Sequence, residues 1–96
     1  MHTQIQNEVK EIEDLENETL QAIYKRQNEV VINLYERVEQ LFSKGSSYSR
    51  TLIANKFIFP ISSFLEMNYA WGKEYLNLFP QQLKAEYYRQ TGSSCI

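Results

Sequence analysis

Few residues of this chain are of types that carry chemistry, and their spacing is poor for it. The histidine is His2 and the cysteine is Cys95, each next to a chain end, where ordering is seldom good enough to hold reacting groups in place. Glu66 and Glu74 are the two carboxylates of the aromatic segment 63–79. Eight residues apart on one helix, they stand about 12 Å from each other, too far to act as a paired acid and base without substrate between them. Glu66 instead fits the last place of a Ser63-Phe64-Leu65-Glu66 capping box. There is no nucleophile elbow, no glycine-rich phosphate loop and no Cys/His cluster at metal-ligand spacing. The reading is therefore of a protein that is not an enzyme, with no catalytic residues, no metal ligands and no cofactor.

Binding chemistry has better material. Residues 1–48 carry nine acids against five bases, and residues 49–96 three acids against five bases. Glu8, Glu11, Glu13, Asp14, Glu16 and Glu18 crowd together with Lys10. Such an end repels phosphate and anionic lipid and attracts a basic partner. It is also what a solvated helix face near a positive helix N-terminus looks like. In the second half, Phe64, Trp71, Tyr75 and Leu78 make one apolar stripe and Leu65, Tyr69, Gly72, Leu76 and Phe79 another. Trp and Tyr are enriched among residues that dominate interface energetics. The partner-binding candidates are Glu11, Asp14, Glu18, Trp71 and Tyr75. Arg50, Lys56, Lys73, Lys84 and Arg89, interleaved with Trp71, Tyr87 and Tyr88, offer an alternative: stacking and charge for single-stranded nucleic acid. Five bases are ordinary density, and the acidic end opposes phosphate contact, so nucleic acid is the unlikely partner. A ligand pocket lined by Tyr69, Trp71 and Tyr75 is a third possibility.

The elements that must position these residues are helical. Ninety-six residues make one domain. From Thr3 to Lys44 there is no proline or glycine, and Ile5, Val9, Ile12, Leu20, Ile23, Tyr24, Val31, Leu34, Val38, Leu41 and Phe42 recur in steps dominated by three and four. This predicts one long amphipathic helix over 3–44, opened by a Thr3-to-Gln6 capping box and about 60 Å long. If the rod breaks into two helices, Asp14 to Glu18 is where the stripe is weakest. Lys44 and Gly45 close it, with Gly45 expected to take left-handed dihedrals, and 45–49 is a loop.

Over 50–91 the pattern predicts two or three shorter aromatic-rich helices. The first is capped by Ser49 and stopped by Pro60, the second starts near Ser63, and the last has Pro80 in its first turn and ends at Gly92. Phe57-Ile58-Phe59 also suits a short strand. Gly72 costs a helix stability, and suits either a place where another helix comes close or a tolerated accident. Residues 92–96 read as a flexible tail.

The fold class is thus all-α: a long N-terminal helix packed against two or three shorter ones in a small bundle. A body this small is narrower than a 60 Å rod, so the N-terminal turns, with Ile5, Val9 and Ile12, would lie uncovered unless a second copy covers them. That predicts a homodimer with those three residues in its interface. The longest apolar stretch, Phe57 to Leu65, holds Pro60 and two serines, well short of the roughly 20 apolar residues of a membrane span. No secretory signal is legible, and one cysteine allows no internal disulfide. The expected setting is the cytoplasm, and the expected role is a protein–protein interaction module acting as an adaptor, inhibitor or regulatory subunit.

Overall fold

The computed structural model describes the backbone of residues 2–92 and the side chains of residues 7–92. Six α-helices run in order: α1 His2–Tyr24, α2 Asn28–Lys44, α3 Ser47–Ile53, α4 Phe59–Met67, α5 Tyr69–Asn77 and α6 Gln81–Thr91. One π-turn, Ala54–Ile58, joins α3 to α4. The bundle is all-α and measures 43 × 34 × 19 Å. No described helix is long and apolar enough to cross a membrane, and no strand forms at Phe57-Ile58-Phe59.

The predicted rod over 3–44 is two helices folded back on each other, and the reversal falls at Lys25-Arg26-Gln27 and not at 14–18. Arg26 adopts left-handed dihedrals, φ 59. Its N–H donates to the Ile23 carbonyl at 3.0 Å, and the Gln27 N–H donates to the Ala22 carbonyl at 2.9 Å. Those two bonds are the Schellman ending of a helix, with arginine where glycine usually stands. A residue with a Cβ pays roughly 1–2 kcal/mol for this conformation. The Arg26 guanidinium lies 3.8 Å from the centre of the Trp71 ring, which returns about 0.5–1 kcal/mol.

Folding back internalises the stripe. Ile12, Leu15, Thr19, Ala22 and Ile23 of α1 and Val31, Tyr35, Val38 and Phe42 of α2 are buried. Their steps of three and four keep each set on one face. The Thr19 hydroxyl donates to the Leu15 carbonyl at 2.7 Å, so its burial leaves no donor unmet. Tyr35 is the centre of the core. Its ring packs on Phe79 at 4.8 Å and edge-on to Phe57 at 6.4 Å, and its hydroxyl donates to the Tyr75 carbonyl at 3.1 Å. Burial, with Tyr75 nearby, pushes the Tyr35 phenol well above the ordinary tyrosine range.

Pro60 does not stop a helix. It has no N–H, and in an α-turn its ring would strike the carbonyl of Lys56, four residues back. The chain widens over those residues instead: Phe59 N–H bonds to Ala54 five residues back, and α4 continues from there. Gln90 of α6 also donates to the Ala54 carbonyl, at 2.9 Å. Ser63 therefore lies inside α4, and the expected capping box is absent; Glu66 accepts the Tyr87 hydroxyl instead. Ser46, not Ser49, caps α3. Gly45 is extended, φ −79 and ψ 160; a Cβ there would lie 2.8 Å from the Leu41 carbonyl oxygen. Gly92 closes α6 in the left-handed region, φ 75. Residues 93–96 of the expected tail, with Cys95, lie outside the described residues, as do the side chains of the Thr3-to-Gln6 box.

Candidate interaction surface

The predicted partner-binding residues do not meet on one surface. Glu11, Asp14 and Glu18 are exposed and line a shallow depression with Asn7, Lys10, Leu15 and Arg37. Glu11 faces Arg37 at 3.7 Å and Asp14 faces Lys10 at 3.7 Å. These pairs are more than two-fifths exposed on each side, so each contributes little to stability. Trp71 is half-buried, with Phe64 edge-on at 5.9 Å and Tyr75 edge-on at 6.3 Å. Tyr75 is 3% exposed; its hydroxyl donates to Asn28 Oδ1 at 2.5 Å and its carbonyl accepts from Tyr35. It belongs to the core and offers a partner nothing. Trp71 and Tyr75 pack on each other and so do not wall a ligand pocket with Tyr69, which is exposed.

The dimer residues fare similarly. Ile12 is 5% exposed and is part of the chain's own core, with Val9 packed against it. The side chain of Ile5 lies outside the described residues. The reversal at Arg26 halves the rod, so Ile12 and Val9 need no second copy to cover them.

A different surface is open. Leu20 and Tyr24, one turn apart at the end of α1, and Phe64 of α4 line an apolar groove of about 440 Å³, with Gln21 and Lys25 on its rim. Tyr24 is 79% exposed, although the periodicity placed it on the core wall. Phe64 continues into Trp71, and Trp71 into Arg26, so aromatic surface and cationic rim adjoin. At about 100° per residue, Glu18 stands about 160° around α1 from Leu20. The acidic flank and the groove therefore face different ways. One signal for the groove was in the sequence. Tyr24 is followed by Lys25-Arg26-Gln27-Asn28-Glu29, five polar residues or more than one turn with nothing apolar. A helix packed on a core along its whole length would not skip that turn.

A second concavity, between α1, α2 and the start of α3, mixes apolar and charged lining: Ile12, Leu41 and Ile53 with Glu8, Glu11, Arg37 and Lys44. A cleft of about 660 Å³ between α3, the π-turn and α6 is lined by residues that include Arg50, Asn55, Glu86, Arg89 and Gln90. Its cations are engaged: Arg50 donates to the Phe42 and Ser43 carbonyls at the end of α2, and Arg89 pairs with Glu86 at 2.6 Å. Among the described residues no three His, Cys, Asp or Glu side chains are grouped to hold a metal. Glu16 has its carboxyl pushed above the ordinary range, first by burial and then by Glu13, with Lys56 opposing.

What these features define is a small all-α bundle with an aromatic groove at the corner of a helical hairpin. A family described as "Domain of unknown function (DUF7674)" matches residues 2–93, and the chain belongs to it. No curated protein and no solved structure matches the chain.

Proposed function

We propose that this protein is a non-catalytic protein–protein interaction module of the cytoplasm, an adaptor, inhibitor or regulatory subunit. It seats an apolar side chain of its partner in the groove formed by Leu20, Tyr24 and Phe64. The observation that carries the reading is the exposure of Tyr24 beside an apolar concavity. Aromatic rings left in water next to a groove are characteristic of contact sites. Glu11, Asp14 and Glu18 act at a distance, by steering the encounter, since they lie on another flank.

The test is to replace Tyr24 by glutamate. Because Tyr24 is mostly solvated, the fold should persist, as circular dichroism would show, while the protein that co-purifies with the wild type is lost. Retention of that protein at wild-type level by Tyr24→Glu would reject the groove as its site.

A single-stranded nucleic-acid binder is less well supported. Arg50 and Arg89 are committed to contacts within the chain, and Lys56 lies by Glu16. An anisotropy titration with mixed-sequence oligonucleotides at low salt separates the two readings.

A further inference from the structure

The reversal that makes the hairpin is built from residues that favour a helix. Lys25, Arg26 and Gln27 are strong helix formers, and no glycine or proline occurs between Thr3 and Lys44. Where the chain needs a positive φ at the end of α6 it uses glycine, Gly92; at the end of α1 it uses arginine, in a conformation that disfavours a Cβ. The local ties are the two Schellman bonds and the stacking of Arg26 on Trp71. Most of what else holds α1 is its packing on α2, α3 and the π-turn, and that packing is indifferent to which copy supplies α1.

We propose that two copies of this chain exchange α1. Residues 25–27 become helical, α1 and α2 join into one helix, and each α1 seats on α2, α3 and the π-turn of the other copy. Ile12, Leu15, Thr19 and Ile23 then fill the same places in the partner's core, and two contacts that now lie within one chain, the Glu11–Arg37 pair and the bond the Ser49 hydroxyl donates to the Glu8 carboxylate at 2.9 Å, form between copies. Only the hinge differs between the two forms, which is the condition under which exchange is cheap. A short hinge under strain favours it. Apolar residues stand uncovered on both sides of the hinge, Tyr24 at 79% and Val30 at 43% exposure, where the two hinges meet in the exchanged dimer. This inference does not depend on the groove having a foreign partner.

Light scattering and a spin-label distance test it together. The chain is refolded at roughly millimolar concentration, where mass action favours assembly, and monomer and dimer are separated. Arg26→Gly relieves the left-handed residue in the hairpin and weakens the joined helix, so with two hinges it should weaken dimerisation about a hundredfold. Arg26→Ala keeps the disfavoured conformation and loses the stacking on Trp71, so it should strengthen dimerisation about tenfold. For the distance, Lys10→Cys and Gln40→Cys are labelled in a Cys95→Ser background and diluted into unlabelled chain. In the hairpin the two positions are close, since Glu8, Glu11 and Gln40 line one depression. In the exchanged form they lie thirty residues apart on one helix, about 45 Å. A dimer with the long intrachain distance, and opposite shifts from the two variants, is expected. No dimer in the wild type or Arg26→Ala, a dimer that keeps the short distance, or both variants shifting the same way would overturn the exchange.

Discussion

Replacing Gly72 by alanine sets two forces of opposite sign against each other. On helix propensity alone the change stabilises α5 by about 1 kcal/mol. Packing says the reverse. A Cβ at residue 72 would lie 2.3 Å from the Leu65 carbonyl oxygen and 3.0 Å from Leu65 C and Cα. All three are backbone atoms of α4, so no side chain can turn aside to make room. Leu65 is fully buried, and its carbonyl accepts from Asn68 N–H at 3.2 Å at the junction of the two helices. The helices must part, at an overpacking cost of about 3 kcal/mol, toward the upper end of what an added methyl group brings. The net expectation is a loss of about 2 kcal/mol. For a domain of this size that lowers the melting temperature by about 8–16 °C. Thermal and urea unfolding followed by circular dichroism measure it, with Gly92→Ala as a contrast in which conformation, not space, opposes the Cβ. A Gly72→Ala variant as stable as the wild type, or more so, would show that α4 and α5 do not meet backbone-to-backbone here, and the placing of Trp71 beside Phe64 would lose its basis.

Three further outcomes are expected. The Glu39 carboxylate of α2 accepts from the Gln82 and Leu83 N–H groups at 3.2 and 3.1 Å, capping α6 from outside. Glu39→Ala should cost about 1 kcal/mol and speed amide exchange in the first turn of α6 more than elsewhere. Tyr75→Phe removes the bond to Asn28 at the start of α2 and should cost about 1 kcal/mol in urea unfolding without changing any partner affinity. The raised Glu16 carboxyl means that its charged form is disfavoured in the fold. Its penalty is absent below the ordinary value of 4.5, where it is protonated in both states, and grows as the pH rises through the higher folded value. Glu16→Gln should therefore raise the melting temperature at pH 7 and have little effect below pH 4.5; the opposite pH trend would contradict the burial of that carboxyl.

The helical class was legible because steps of three and four persist along both halves of the chain. Glycine and proline were less reliable as punctuation. The largest departure, the turn at Arg26, carries neither residue. It is fixed by tertiary packing and by Trp71, forty-five positions away in the sequence. Pro60 was read as a stop, but a single π-turn lets a helix pass through it. Gly72 was legible only as one of two alternatives, a point of close approach or a tolerated accident, and its place against the Leu65 backbone decides for the first. The surface residues were the hardest to place. A helical stripe says which residues share a face, but not where along the helix the core ends. That boundary leaves Tyr24 in water and puts Tyr75 inside. Glu11, Asp14 and Glu18 were grouped with Trp71 by chemical type, and the direction each faces was not readable until the hairpin was closed.

The groove as the contact site is tested most directly by photo-crosslinking in the native host. A benzophenone amino acid is placed at Tyr24 in one strain and at Asp14 in another, both exposed positions on α1. The account predicts that one protein is captured from position 24, that the same protein is not captured from position 14, and that Phe64→Ser abolishes the capture while the domain remains folded. Capture of that protein from position 14 and not from position 24 would contradict it.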